Sequence, residues 1–207
     1  MPMRDEARPG KGPPDNEPSK KAHLLEKAHL MTSSEIERTL IHLAHEIVEK
    51  TEEHLDLALI GVRRRGELLA GRLSEKIRQL TKVEVPVGSL DVELYRDDRP
   101  AADAALKDSR RTGHPSQLPF SITGKDVLLV DDVLFTGRTT RAALEAIFDH
   151  GRPRRVRLCV LIDRGHRELP IEASFVGKRV TVGPQEVIEV KLAEEDQVEK
   201  VVLLDKS

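Results

Sequence analysis

The stretch VLLVDDVLFTGRTT at 127–140 constrains the chain more than any other. Val127, Leu128, Leu129 and Val130 run without alternation, the pattern of a strand buried on both faces inside a parallel sheet. Asp131 and Asp132 follow. Then come Val133, Leu134, Phe135, Thr136, Gly137, Arg138, Thr139 and Thr140, and after them Ala143, Leu144 and Ile147 at helical spacing. The order is strand, acidic turn, Gly- and hydroxyl-bearing loop, helix N-terminus. A helix start offers unpaired N–H groups and a partial positive charge, which suit a phosphate. Gly137 lets the backbone come close, and the threonine hydroxyls add donors. The acids repel that phosphate; they suit sugar hydroxyls or Mg2+. A ligand carrying a phosphate, a ribose diol and a metal satisfies all of them at the carboxyl end of the strand, where open α/β sheets place ligands. No G-x-x-x-x-G-K-[ST] pattern occurs here, so this is not a Walker loop.

A second loop has the same logic. LALIG at 57–61 reads as a buried strand and runs into VRRRG at 62–66, followed by a helix through Leu68, Leu69, Leu73 and Ile77. Guanidinium forks in a Gly-bracketed loop favour multiply charged oxygens, which makes Arg64 and Arg65 candidates for a diphosphate. Residues 83–95 favour strand and end at Arg96. From 98 to 120 the chain is polar, with Pro100, Gly113, Pro115, Pro119 and the bases Lys107, Arg110 and Arg111. A loop of that length inside a compact domain reads as a lid over a departing anion.

The remaining segments complete the pattern. Ser34-x-x-Glu37 reads as a capping box, and Ile36, Leu40, Leu43 and Ile47 set a helix over 35–50. His42 and His45 on it read as a polar edge and not as a metal pair. Residues 154–162 form a strand, 186–192 alternates with Val187 and Glu189 opposite Ile188 and Val190, and 198–204 pairs near an edge. Five prolines before residue 19 keep the N-terminus from burying apolar surface, so 1–30 reads as a disordered tail and 31–207 as the folded domain. The expected fold class is α/β, a mainly parallel sheet flanked by helices, with a small β-rich hood at about 164–186.

Composition narrows the function. A net charge of −2 gives no global basic field for nucleic acid, and 2% aromatics cannot build base-stacking platforms. The single Cys159 sits in an apolar strand and fits a reducing cytoplasm. No apolar run is long enough to span a membrane, and no signal segment begins the chain.

VLLVDDVLFTGRTT resembles the 5-phosphoribosyl-1-pyrophosphate (PRPP) motif of type I phosphoribosyltransferases. Together with LYRDD at 94–98, GRP at 151–153, VLIDRGHRELPI at 160–171, AHEI at 44–47 and FVGK at 175–178, it is similar to the pyrimidine-operon regulator/uracil phosphoribosyltransferase (PyrR-type) family. The resemblance implies conversion of uracil and PRPP to UMP and pyrophosphate. It also implies sensing of uridine nucleotides such as UMP and UTP, through binding of pyrimidine-operon leader RNA. In it, Asp131 and Asp132 hold the ribose, Thr136, Gly137, Arg138, Thr139 and Thr140 cradle the 5′-phosphate, Val133, Leu134 and Phe135 belong to the same substrate-binding run, Arg64 and Arg65 meet the pyrophosphate, and Arg96 with the lid helps neutralise it. Arg164 and Ile188 lie where the hood covers the base. Arg164, His166, Arg167 and Lys178 are the RNA-binding candidates. Mg2+ rides on the pyrophosphate, with no metal ligands from the protein, and a homodimer or higher assembly is expected. Ile41-His42 replaces a polar-basic pair of RNA-binding relatives, and Glu172 stands where they carry Arg. The alternatives are a regulator with weak or no catalysis and a phosphoribosyltransferase for another base, purine or orotate.

Overall fold

The computed structural model describes residues 24–51, 56–95 and 116–206. The chain runs β1 (Leu24–Thr32), α1 (Ser33–Glu49), β2 (Leu57–Val62), α2 (Arg65–Thr81), β3 (Val87–Leu90), a 3-10 turn (Glu93–Tyr95) and β4 (Asp126–Leu134). It continues with α3 (Arg138–His150), β5 (Arg155–Asp163), β6 (Phe175–Arg179), β7 (Glu186–Lys191), α4 (Ala193–Asp196) and β8 (Lys200–Lys206). Five strands form a parallel sheet in the order β3-β2-β4-β5-β6, and three form an antiparallel sheet in the order β1-β8-β7.

Period-2 alternation sorts the core. Leu57, Leu59, Leu128, Val130, Cys159 and Leu161 face one side, where Leu40, Leu43 and Ile47 of α1 and Leu69, Leu73 and Ile77 of α2 pack on them. Ile60, Val62, Val127, Leu129, Leu158 and Val160 face the other, against Ala142, Ala143, Ala146 and Ile147 of α3. The unbroken apolar runs are therefore strands with helices on both faces, as expected of parallel sheets.

Several expectations are corrected. The capping box is Thr32 with Glu35: the Thr32 N–H donates to Glu35 Oε2 at 2.8 Å, and Thr32 has the extended backbone of an N-cap. Residues 24–30 of the supposed tail form most of β1, because β8 supplies a ladder for their backbone groups; residues 1–23 lie outside those described. The hood is not 164–186. It is the sheet of β1, β7 and β8, in which β8 is the middle strand and not an edge. β6 joins the main sheet through a helix-free crossover, anchored by the fully buried Phe175. Most of the proposed lid, 98–115, and Arg96 lie outside the described residues. The end of the lid segment is tied to the sheet by an exchange of backbone bonds between Ser89 and Gln117 at 2.8 and 2.9 Å. No helix among the described residues is long and apolar enough to cross a membrane.

Candidate active site

β4 outruns its neighbour. Its pairing with β2 ends at Gly61↔Val130, whereas its pairing with β5 continues to Leu134↔Asp163. Beyond Val130 the β2 side of β4 is therefore open, and the sheet order reverses at this point, since β3 lies beyond β2 and β5 beyond β4. Asp131 and Asp132 lie in the strand and not in a turn after it, because the β5 ladder keeps the backbone extended. By alternation Asp132 leaves on the α1–α2 face and Asp131 on the α3 face. Asp131 Oδ1 accepts from the Asp132 N–H and Asp132 Oδ1 from the Val133 N–H, both at 2.9 Å. Burial raises the Asp132 carboxyl above the ordinary aspartate range, against the lowering effects of Asp131, the Val133 amide and the Arg65 charge.

One lip of the crevice is the start of α2. Gly66 sits where a Cβ would lie 2.5 Å from Val130 O, so only glycine lets the 62–66 loop press onto the end of β4. A Cβ on Gly61 would likewise run into the backbone of Gly66 and Glu67. The three arginines of the loop separate. Arg63 turns inward, donating from Nε to Ser89 Oγ at 3.0 Å, and the Arg63–Arg64 peptide is cis. Arg64 reaches out, 79% exposed, with Nη1 2.8 Å from Glu195 Oε1. Arg65 makes a two-point contact with Asp196, Nη2 to Oδ1 at 2.8 Å and Nε to Oδ2 at 3.3 Å. Burial alone would lower Arg65, but the Asp196 carboxylate, with Asp132 and Glu189 beyond it, raises it above its ordinary value.

The other lip is the loop into α3. Gly137 has φ +90°, a left-handed conformation that a side chain would strain, and Ile171 and Leu169 pack within about 3.5 Å of where its Cβ would be. Thr136 O accepts from the Glu168 and Leu169 N–H groups at 3.0 and 3.2 Å, and Thr136 Oγ1 accepts from the Arg138 N–H at 3.3 Å. Gly137 has no side chain to cap the helix, so the first turn of α3 keeps donors for an anion. Arg138 lies on its outer side, with Nε 2.7 Å from Glu168 Oε2.

Arg164 stands over this lip. It is 5% exposed, its N–H donates to Leu134 O at 3.1 Å, and its guanidinium carbon lies 3.8 Å from the centroid of the Phe135 ring. Its Nε and Nη2 are buried with no hydrogen-bond partner, and burial lowers its pKa. A buried, unsatisfied cation is costly unless a ligand completes it. β7 is the outer strand of the hood sheet, so alternate residues point N–H and C=O groups away from β8. Ile188 on it packs its side chain into the core.

The other RNA candidates also make contacts within the fold. Arg167 donates to Ile171 O, Phe135 O and Gly165 O and to Asp163 Oδ1, all within 3.1 Å. The His166 ring Nε2 lies 2.9 Å from Val182 O, and Lys178 donates to Leu30 O at 2.7 Å. Cys159 is buried, its thiol pushed up to about 12, so it is no nucleophile near neutral pH. Sequence reasoning missed the acids Glu195 and Asp196. The triplet 194–196 was a visible signal, but a short charge run carries no sign of which loop it faces.

The chain matches the phosphoribosyl transferase domain family over residues 29–195. The bifunctional protein PyrR of Brevibacillus brevis is 48% identical over 180 residues, spanning 86% of this chain and 97% of that protein. The bifunctional protein PyrR of Thermus thermophilus is 49% identical over 180 residues, 87% of this chain and 97% of its own. Among solved structures, a hypoxanthine-guanine phosphoribosyltransferase of Bacillus anthracis superposes with a TM-score of 0.62 at 20% identity, over 88% of this chain and 99% of that one. The hypoxanthine phosphoribosyltransferase of Trypanosoma cruzi gives 0.63 at 18% identity, over 88% and 98%. At that identity the two structures speak for the fold alone.

Proposed function

The chain belongs to the phosphoribosyltransferase family, and from that premise we propose that it converts uracil and PRPP to UMP and pyrophosphate and couples this to regulation of pyrimidine genes. The observation that carries the catalytic reading is the crevice where β2 and β4 part. Two acids flank it at the end of β4, one on each face of the strand, with Arg64 and Arg65 on one lip and the uncapped start of α3 on the other. Asp131 and Asp132 accept from the ribose hydroxyls, the amides and hydroxyls of 136–140 hold the 5′-phosphate, and Arg64 and Arg65 bind the diphosphate. The C1′–O bond to diphosphate breaks with its electron pair leaving on oxygen. Uracil N1 bonds to C1′ and gives its proton to solvent. Catalysis rests on positioning and on charge held in place before the reaction. Arg164, stacked on Phe135, offers its idle donors to a base carbonyl, and the edge of β7 offers backbone groups to the rest of the base.

Among the described residues no group of three or more His, Cys, Asp or Glu is placed to cage a metal. The strand-end pair fits an ion that arrives on the diphosphate and borrows one or two carboxylates. Mg2+ bound there would supply neutralisation of the leaving charge, with Asp131 and Asp132 its protein neighbours. A cytoplasmic homodimer or higher homo-oligomer is part of this reading.

For regulation, uridine nucleotides in the same crevice alter a surface that binds pyrimidine-operon leader RNA. The exposed basic face nearest the described RNA candidates is a cavity of about 320 Å3 lined by Glu35, Arg38, Thr39, His42 and Lys178, among others. There Arg38, His42 and Lys178 are side chains to reach RNA, with Arg164, His166 and Arg167 the further candidates. The test is UMP formation with Mg2+ against a panel of uracil, hypoxanthine, guanine and orotate, with leader-RNA binding measured across salt with and without UMP. Uracil-selective turnover and nucleotide-dependent, salt-sensitive RNA binding are expected. Purine-selective turnover, or RNA binding indifferent to UMP, removes the corresponding half.

A further inference from the structure

The segment joining β7 to β8 lies along α2 and meets it through consecutive acids. Glu194 takes a two-point contact from Arg72, Nε to Oε1 at 2.9 Å and Nη2 to Oε2 at 2.6 Å, and Glu199 pairs with the same guanidinium. Arg65 and Arg72 are seven apart and so share a helix face. Arg72 thus braces the segment, and Asp196 is presented to Arg65. Asp196 is itself fixed: its Oδ2 also accepts from the Leu192 N–H at 2.9 Å, and its own N–H donates to Leu192 O at 2.8 Å. Burial would raise Asp196, but the Arg65 fork and the Leu192 amide hold it below the usual carboxylate range.

The neighbouring pair is built differently. Arg64 and Glu195 meet at one point, with side chains 79% and 37% exposed, against 29% and 18% for Arg65 and Asp196. Exposed single-contact pairs contribute little and are readily exchanged; a half-buried fork sharing a carboxylate with a backbone amide is not. A guanidinium has five donors, so the two that Arg65 gives to Asp196 leave three for a ligand.

We propose that Asp196 is a positioning residue that fixes the Arg65 fork for diphosphate, while Glu195 is a placeholder that diphosphate displaces from Arg64. The inference rests on the phosphoribosyltransferase reading above and deepens it. It ties the hood to the diphosphate loop, because the strand carrying Ile188 runs directly into the segment carrying both acids. Substituting the two adjacent acids then has opposite effects.

The experiment measures PRPP kinetics of the full chain and its variants, with ligand-free melting as a folding control. Asp196→Asn keeps an acceptor for the Leu192 amide and loses the charge; its KM for PRPP is expected to rise about tenfold with kcat within about twofold. Glu195→Gln is expected to lower KM about two- to threefold, since it removes a competitor. In an Arg65→Ala background, Asp196→Asn adds nothing further, because its effect passes through Arg65. If Asp196→Asn does not fold, Asp196→Glu keeps the charge but shifts the fork, and an intermediate rise in KM is expected. A KM unmoved by the Asp196 variants, an effect that persists without Arg65, or a rise in KM for Glu195→Gln overturns the inference while wild-type turnover stands. A wild-type chain that does not turn over PRPP overturns the functional reading, and this with it.

Discussion

The lips around the end of β4 and the hood above them are assembled by different means. The two lips at the end of β4 are held by backbone: Gly66 against Val130 O, the Thr136 carbonyl under two amides, Gly137 under Ile171 and Leu169. The hood is held to the α2 side by side-chain charge, Arg65 on Asp196 and Arg72 on Glu194 and Glu199. Backbone contacts tolerate no added atom, whereas ion pairs shift with salt and ligand. The lips at the strand end are thus rigid, and the hood that meets them is adjustable.

The double change Asp131→Asn/Asp132→Asn is expected to cut kcat/KM about a thousandfold while the chain still folds, as checked by steady-state kinetics and circular dichroism. Gly66→Ala forces a Cβ against Val130 O and is expected to cost about 2–3 kcal/mol in a urea melt, with loss of PRPP binding. A melt unchanged by that substitution would show that the lip is not held by backbone.

Arg164→Met removes a buried cation two of whose nitrogens lack a partner, and keeps the length. It is expected to melt a few degrees higher and to raise the uracil KM about tenfold, a gain in stability traded for function. Lower stability together with unchanged KM would make Arg164 structural.

Asp132→Asn tests the buried acid by pH. Because burial raises the folded-state pKa, the carboxyl favours the folded state fully only below its unfolded value and loses that contribution as pH rises through the folded one. The Asn variant does not titrate. It is therefore expected to be more stable than the wild type at neutral pH, with the difference closing toward pH ~4. The smallest effect is Glu75→Ala on the outer face of α2: its pKa is lowered to about 2 by Arg78, yet the pair lies at the surface, and no measurable change in melting is expected.

The sequence made the rigid half legible and concealed much of the adjustable half. Val127–Val130 and Leu57–Ile60 announced buried strands because both of their faces are covered, and the 3.6-residue spacing of Ile36, Leu40, Leu43 and Ile47 announced α1. The cap slipped by two residues because Thr32 with Glu35 and Ser34 with Glu37 both satisfy the pattern, and only the extended backbone of Thr32 decides. The hood was placed at 164–186 because its strands come from Leu24–Thr32, Glu186–Lys191 and Lys200–Lys206, and a ladder between the two ends of a chain leaves no local signature. Arg167 illustrates a different limit. Its place in the DRGHR run shows a charge, yet the Arg167 guanidinium donates to three carbonyls and Asp163. Residue type gives charge, but only packing shows whether that charge faces outward.

The most direct test of the account is the crystal structure of the chain with UMP. The account predicts the phosphate on the amides and hydroxyls of 136–140, the ribose hydroxyls on the carboxylates at the end of β4, and the base between Arg164 and the edge of β7. A nucleotide bound away from the gap between β2 and β4 would contradict it.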